Sequence, residues 1–193
     1  MRRVCVFCGS SHGVRPAYSD AARSLGQALV ARGLGLVYGG GKVGLMGVVA
    51  DAVLAAGGDV VGVIPHALMA REIGHAGLTT MHVVDSMHER KALMADAADA
   101  FIALPGGVGT FEELFEAITW TQLGLHAKPC GLLNVDGFYD DLLRFLDHAW
   151  VEGFIKPETR AIVKASADAR ELLDLLDGAV MPAVPRWITR AER

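Results

Sequence analysis

The 193-residue chain predicts a parallel β-sheet covered by helices on both faces, an α/β fold. Three observations carry this. Short uncharged apolar runs recur at residues 4–8, 34–38, 60–64, 100–104 and 129–134, and consecutive apolar positions fit strands buried on both faces. Segments with helical apolar spacing separate them. The loops at 9–13, 39–47 and 105–109 are glycine-rich and each leads into a helix, the arrangement at which open sheets bind ligands.

Taken in order, residues 4–8 form the first strand and 9–13 a polar turn bounded by Gly9 and Gly13. Ser10 and Ser11 there offer hydroxyls to a phosphate or a ribose, or serve only the turn. Pro16 starts a helix with the stripe Tyr18, Ala21, Ala22, Leu25, Leu29, ending near Gly33. Residues 34–38 are the second strand. The loop after it contains Gly39, Gly40, Gly41, Gly44 and Gly47 and opens a helix over 48–56. Gly39, Gly41 and Gly44 satisfy G-x-G-x-x-G, but that motif normally follows the first strand, and Asp59 precedes the next strand instead of ending it. Gly41-Lys42 is followed by Val43, which cannot take the magnesium-binding role of a Walker A hydroxyl. After the strand at 60–64, residues 66–79 have weak periodicity and read as a helix and loop covering the site. A short strand follows at 81–84. Ser86 and Glu89 then form a capping box that opens a helix over 87–97, with Arg90 and Lys91 in its second turn. Residues 129–134 form a later strand, and 138–150 a helix with Leu142, Phe145 and Leu146 inward. A last strand lies near Ile162 and Val163, and a last helix over 168–176. Residues 1–180 read as one domain; 181–193 are a proline-interrupted, charged, loose tail.

The chain is organised around residues 104–113. A strand ends at Leu104, and Phe111, Leu114, Phe115 and Ile118 recur at helical spacing from about Thr110. Between them lie Pro105, Gly106, Gly107, Val108 and Gly109. Glycine lets a ligand approach the backbone, and the first N–H groups of the next helix attract an anion, so this is a phosphate seat. Thr110 and Glu113 also fit a capping box, in which Glu113 is structural. Both roles of Glu113 stand on the residues alone, and the loop's place at a strand end favours the functional one.

Composition narrows the classes. Apolar residues make up 52% and charged residues 21%, as in a globular chain. A net charge of −4 without a basic run argues against a nucleic-acid partner. No apolar segment approaches the ~20 residues of a membrane span, and Met1-Arg2-Arg3 leads straight into a short strand, so a cytoplasmic protein is expected. Cys5 and Cys8 match C-x-x-C, but three positions apart on a strand their thiols diverge. Histidines are scattered without ligand spacing, and no metal site is expected. Mean hydropathy of +0.34 is high for a small domain and predicts self-association through helix faces near Met87 and Thr119-Trp120.

Residues 105–113 resemble the P-G-G-x-G-T-x-x-E motif of the Lonely-guy proteins, cytokinin riboside 5′-monophosphate phosphoribohydrolases. Residues 87–91 resemble their second signature, M-x-x-R-K, and the similarity extends to 8–11, 39–47 and 119–124. The resemblance implies a Rossmann-like fold, a homodimer or larger assembly, no cofactor, and hydrolysis of a purine nucleoside 5′-monophosphate to base and ribose 5-phosphate. It places catalysis on Arg90 and Glu113. Substrate and phosphate binding fall on Gly9, Ser10, Gly40, Gly41, Met46, Arg90, Lys91, Gly106, Gly107, Val108, Gly109 and Thr110.

Residue chemistry agrees. Breaking a ribosyl bond passes through an oxocarbenium-like sugar, and a carboxylate stabilises that charge or deprotonates a water. Near a helix N-terminus Glu113 is expected to stay ionised. Arg90 binds phosphate or positions Glu113, and Glu116, on the same helix side, is a candidate support. These proteins often carry a lysine decarboxylase label, yet no lysine lies in a recognisable pyridoxal-phosphate setting. The alternative class is a non-catalytic nucleotide or molybdenum-cofactor carrier, which has no use for Arg90 and Glu113 together. A nicotinamide-dependent enzyme is disfavoured by the position of Asp59.

Overall fold

The computed structural model describes residues 1–69, 73–183 and 187. Seven parallel strands form one sheet in the order β4-β3-β2-β1-β5-β6-β7. They are β1 (Arg3–Phe7), β2 (Gly35–Tyr38), β3 (Val60–Pro65), β4 (Thr80–Val84), β5 (Ala100–Ala103), β6 (Cys130–Leu133) and β7 (Val163–Ser166). Register is set centrally by Val4, which pairs with Leu36 on one side and Ala100 on the other. The inner strands β2, β3, β5 and β6 are buried at every position, which is why they read as unbroken apolar runs. The edge strands β4 and β7 carry His82 and Lys164, which discourage further pairing.

Helices α1 (Pro16–Ala31), α2 (Gly44–Ala55) and α7 (Ala169–Asp177) cover one face, around Leu25, Leu36, Val49 and Leu172. Helices α3 (Met87–Ala97) and α4 (Val108–Gln122), with part of α5 (Asp140–Val151), cover the other, around Cys5, Met94, Phe101 and Leu114. A one-turn α6 (Pro157–Arg160) leads to β7. Pro16 opens α1 at a position that needs no N–H donor. Asp168 caps α7 by accepting from the Arg170 and Glu171 amides, both at 2.9 Å.

Several boundaries differ from expectation. α2 starts at Gly44, four residues ahead of the predicted Val48, because Leu45 N–H donates to Gly9 O at 3.0 Å and seats the first turn on the β1 loop. At α3 the Ser86 Oγ accepts from the Glu89 amide as expected, but the Glu89 carboxylate reaches the Asp85 amide, not that of Ser86. In α5 Phe145 is 63% exposed, contrary to the inward placement; it stands about 100° around the helix from the buried Leu146. Residues 66–79 form a short 3₁₀ turn and a strap over 73–77; 70–72 lie outside the described residues. The predicted loose tail falls mostly outside them too, and Trp187 N–H donates to Leu123 O at 3.1 Å.

Candidate active site

Strand order runs outward from β1 to β4 on one side and from β5 to β7 on the other, so the crevice sits over the carboxyl ends of β1 and β5. The two loops there touch: Gly9 N–H donates to Pro105 O at 3.1 Å. A Cβ on Gly106 would stand 2.2 Å from Thr110 Oγ1 and 2.9 Å from Gly9 N, so only glycine lets these segments close. A cleft of about 310 Å³ opens above, lined by Ser10, His12, Tyr18, Gly106, Gly107 and Phe138 among others. Tyr18 and Phe138 meet edge to face, which brings the loop after β6 to the rim. Neither was singled out as a site residue; Tyr18 reads only as part of the α1 stripe, and no periodic signal reports that it ends at the cleft.

The N-terminus of α4 corrects the capping-box reading. The N-cap is Gly107, which has no side chain to offer the first-turn amides. Thr110 is therefore the third helical residue, 4% exposed, with its hydroxyl turned against Gly106. Glu113 is six residues into the helix and cannot close a box on the Thr110 amide. The dipole acts mainly on the first turn, so it gives Glu113 less support than expected. Gly107, Val108 and Gly109 are exposed, and a Cβ built on Gly107 or Gly109 meets nothing within 4 Å. This open first turn faces outward with N–H groups that have no helical acceptor. Glu113 lines a second, separate recess, between α3 and α4, with Phe7, Lys91, Phe101, Glu116 and Trp120.

Arg90 comes from α3 and is 4% exposed. Its Nε donates to Val63 O at 3.1 Å and its Nη2 to Gly39 O at 2.8 Å, while Nη1 approaches Met87 Sδ at 3.8 Å. Charge-assisted bonds to carbonyls just after β2 and within β3 offset part of its burial. A Cβ on Gly39 would lie 2.2 Å from Nη2, so this glycine makes room for the guanidinium. The thiol of Cys5, on β1 beneath both helices, reports the surrounding charges. Burial raises its pKa well above the ordinary value, Glu113 raises it further, and Lys128 and Arg90 pull it down. Arg90 and Glu113 thus both lie near enough to β1 for their charges to bear on this thiol.

The remaining predicted residues divide. Gly9, Ser10, Gly106 and Gly107 line the cleft, and Val108 and Gly109 follow, exposed but outside its lining. Gly40 and Gly41 are buried in a loop braced by the 73–77 strap, and Met46 is packed into the core at 6% exposure. Lys91 Nζ lies 2.7 Å from Glu112 Oε1 and 2.9 Å from Glu116 Oε1, joining α3 to α4. Burial works against this cation, but hydrogen bonds to Glu112 and Glu116 outweigh it and raise its pKa. A lysine so held is poorly suited to the neutral-amine chemistry of a Schiff base. Glu116 accordingly meets Lys91. Among the described residues no three His, Cys, Asp or Glu side chains gather as a metal site, and no helix is long and apolar enough to cross a membrane.

Comparison with known proteins identifies the family. Residues 46–176 match a family model described as "Possible lysine decarboxylase". The chain is 58% identical over 172 residues to the cytokinin riboside 5′-monophosphate phosphoribohydrolase LOG of Oryza sativa subsp. japonica, covering 89% of this chain and 71% of that one. It is 57% identical over 176 residues to a cytokinin riboside 5′-monophosphate phosphoribohydrolase of Arabidopsis thaliana, covering 91% of this chain and 81% of that one. Among solved structures, the molybdenum cofactor binding protein of Rippkaea orientalis aligns with a TM-score of 0.67 at 20% identity, over 92% of this chain and 96% of that one. The molybdenum cofactor carrier protein of Chlamydomonas reinhardtii aligns with a TM-score of 0.68 at 18% identity, over 91% and 96%. At such identities these two show a shared Rossmann-like α/β fold and nothing more. Identity above half over nine-tenths of the chain shows more: the chain belongs to the Lonely-guy family of cytokinin riboside 5′-monophosphate phosphoribohydrolases.

Proposed function

We propose that the protein is a hydrolase that cleaves the N-glycosidic bond of purine and cytokinin riboside 5′-monophosphates, AMP included, to free base and ribose 5-phosphate. The observation that carries this reading is the open, uncapped first turn of α4 over the strand-order reversal, with Glu113 on the next turn of the same helix. The 5′-phosphate sits on the amides of Gly107, Val108, Gly109 and Thr110, with Gly9, Ser10 and Gly106 closing the cradle. The ribose then lies toward Glu113. As the C1′–N bond breaks, its electron pair leaves with the base and the sugar becomes cationic. Glu113 stabilises that cation or takes a proton from the attacking water; the hydroxyl goes to C1′ and a proton to the base. Arg90, held on Gly39 O and Val63 O, positions Glu113 and the sugar end of the substrate. The net reaction adds water alone and calls for no cofactor.

A carrier that only holds a nucleotide has no use for an acid beside the sugar, which sets catalysis ahead of the carrier reading. The catalytic domain spans residues 1–180 and acts in the cytoplasm as a homodimer. Met87 and Phe115 stand 42% and 37% exposed on the helices proposed to pair, whereas Trp120 packs against the core. A monomeric mass by light scattering at micromolar concentration contradicts the dimer. The test of function compares AMP with adenosine. Remote binding of the phosphate also orients the reacting bond, so kcat/KM for adenosine is expected to be lower by ~10²-fold or more. Equal values overturn the phosphate seat.

A further inference from the structure

Residues 73–77 form a strap across the glycine loop that follows β2. Lys42 N–H donates to Ile73 O at 3.0 Å, His75 N–H donates to Gly40 O at 2.9 Å, and Gly41 and Gly74 pair as an antiparallel bridge. One side chain pins the strap. His75 is 5% exposed; its Nδ1 accepts from Gly77 N–H at 3.1 Å, so Nε2 carries the proton and donates to Asp51 Oδ1 at 2.9 Å. Asp51 lies on α2, two turns beyond the Gly44 start, and is 60% exposed on the far side of the bond. The strap is therefore tied at both ends of one unit: to the glycine loop through backbone bonds and to the helix that loop opens through His75. The same loop presents Gly39 O to Arg90 Nη2 at 2.8 Å.

We infer that His75 is a positioning residue for the nucleotide site: with Asp51 it fixes the strap that holds Gly39, Gly40 and Gly41 in the shape that seats Arg90. This rests on the function proposed above. His75 acts through the loop, by the bond of its N–H to Gly40 O. The loop holds only Nη2 of Arg90, through Gly39 O, while Val63 O on β3 keeps Nε, so the guanidinium stays beside Glu113 and loosening the loop should weaken its grip on the substrate more than it slows the bond-breaking step.

The test has two readouts, one independent of turnover. In His75→Leu, KM for AMP should rise by about tenfold while kcat falls by less than about threefold. Amides of Lys42 and His75 should exchange with solvent faster, with the β1, β5 and β6 amides unchanged. His75→Gln keeps a donor near Nε2 and should recover most of both effects. Asp51→Ala removes the acceptor from the exposed end, leaves the buried imidazole in place, and should reproduce both effects more weakly; it decides the matter if His75→Leu does not fold. Should the wild-type protein leave AMP uncleaved, the function above fails while the exchange comparison still decides the strap. Unchanged exchange at Lys42 and His75 in Asp51→Ala overturns the inference, as does a kcat loss equal to the KM gain in a folded His75→Leu protein.

Discussion

Two helices open after glycine loops at the carboxyl edge of the sheet, and their first turns are used differently. At α2 the turn is closed: Leu45 N–H bonds Gly9 O, and a Cβ on Gly47 would stand 2.2 Å from Lys42 O. The loop ahead of it is braced by the 73–77 strap. At α4 the turn is open: Gly107 caps with backbone alone, and the space around Gly107 and Gly109 is empty to 4 Å. The same sequence signal, glycines before a helix, thus yields a wall in one place and a seat in the other. The outcome depends on whether other backbone groups already occupy the first-turn amides.

Matched glycine substitutions sharpen that contrast. Gly47→Ala drives a methyl into a backbone carbonyl, and overpacking of that kind costs about 2 kcal/mol or more, read as a lower thermal midpoint. Gly109→Ala meets no neighbour, and alanine is the better helix former by up to ~1 kcal/mol, so the midpoint should hold or rise slightly. Its methyl points back toward the helix N-terminus, where the phosphate is proposed to sit, so KM for AMP should increase by about tenfold. A Gly109→Ala protein with unchanged KM breaks the contrast, as does a Gly47→Ala protein with wild-type stability.

Much of the fold was legible in the sequence because its strands are buried on both faces. Residues 100–103 and 130–133 carry no polar position to blur the run. The α3 limits were legible because Ser86 caps locally, and a local bond reads locally. The start of α4 was not, for an opposite reason. Thr110 and Glu113 have capping-box spacing, but the loop is fixed by Gly9 N–H on Pro105 O, from a strand distant in sequence, and the helix begins two residues earlier at the Gly107 cap. Arg90 was legible as an out-of-place cation in a second turn; that it rests on Gly39 O and Val63 O depends on strands distant in sequence. Lys91 was legible beside Arg90 in the same turn, but its partners were not, since Glu112 and Glu116 lie on a different helix. His75 gave no signal, because a lone histidine in a weakly periodic segment points nowhere until the strap is folded.

The proposed mechanism turns on the charge of Glu113, and Glu113→Gln tests it most directly. The substitution keeps the shape of the side chain and removes its charge, and Glu113, six residues into α4, lies beyond the capping turn. The thermal midpoint should stay near wild type and AMP should still bind, while kcat falls by at least ~10²-fold, the usual scale for losing a general base or an electrostatic stabiliser. Glu112→Gln is the control: it removes one of the two partners of Lys91 at a half-exposed site, worth less than ~1 kcal/mol, and should leave kcat nearly unchanged. Near-wild-type turnover of AMP by a well-folded Glu113→Gln protein would contradict the mechanism.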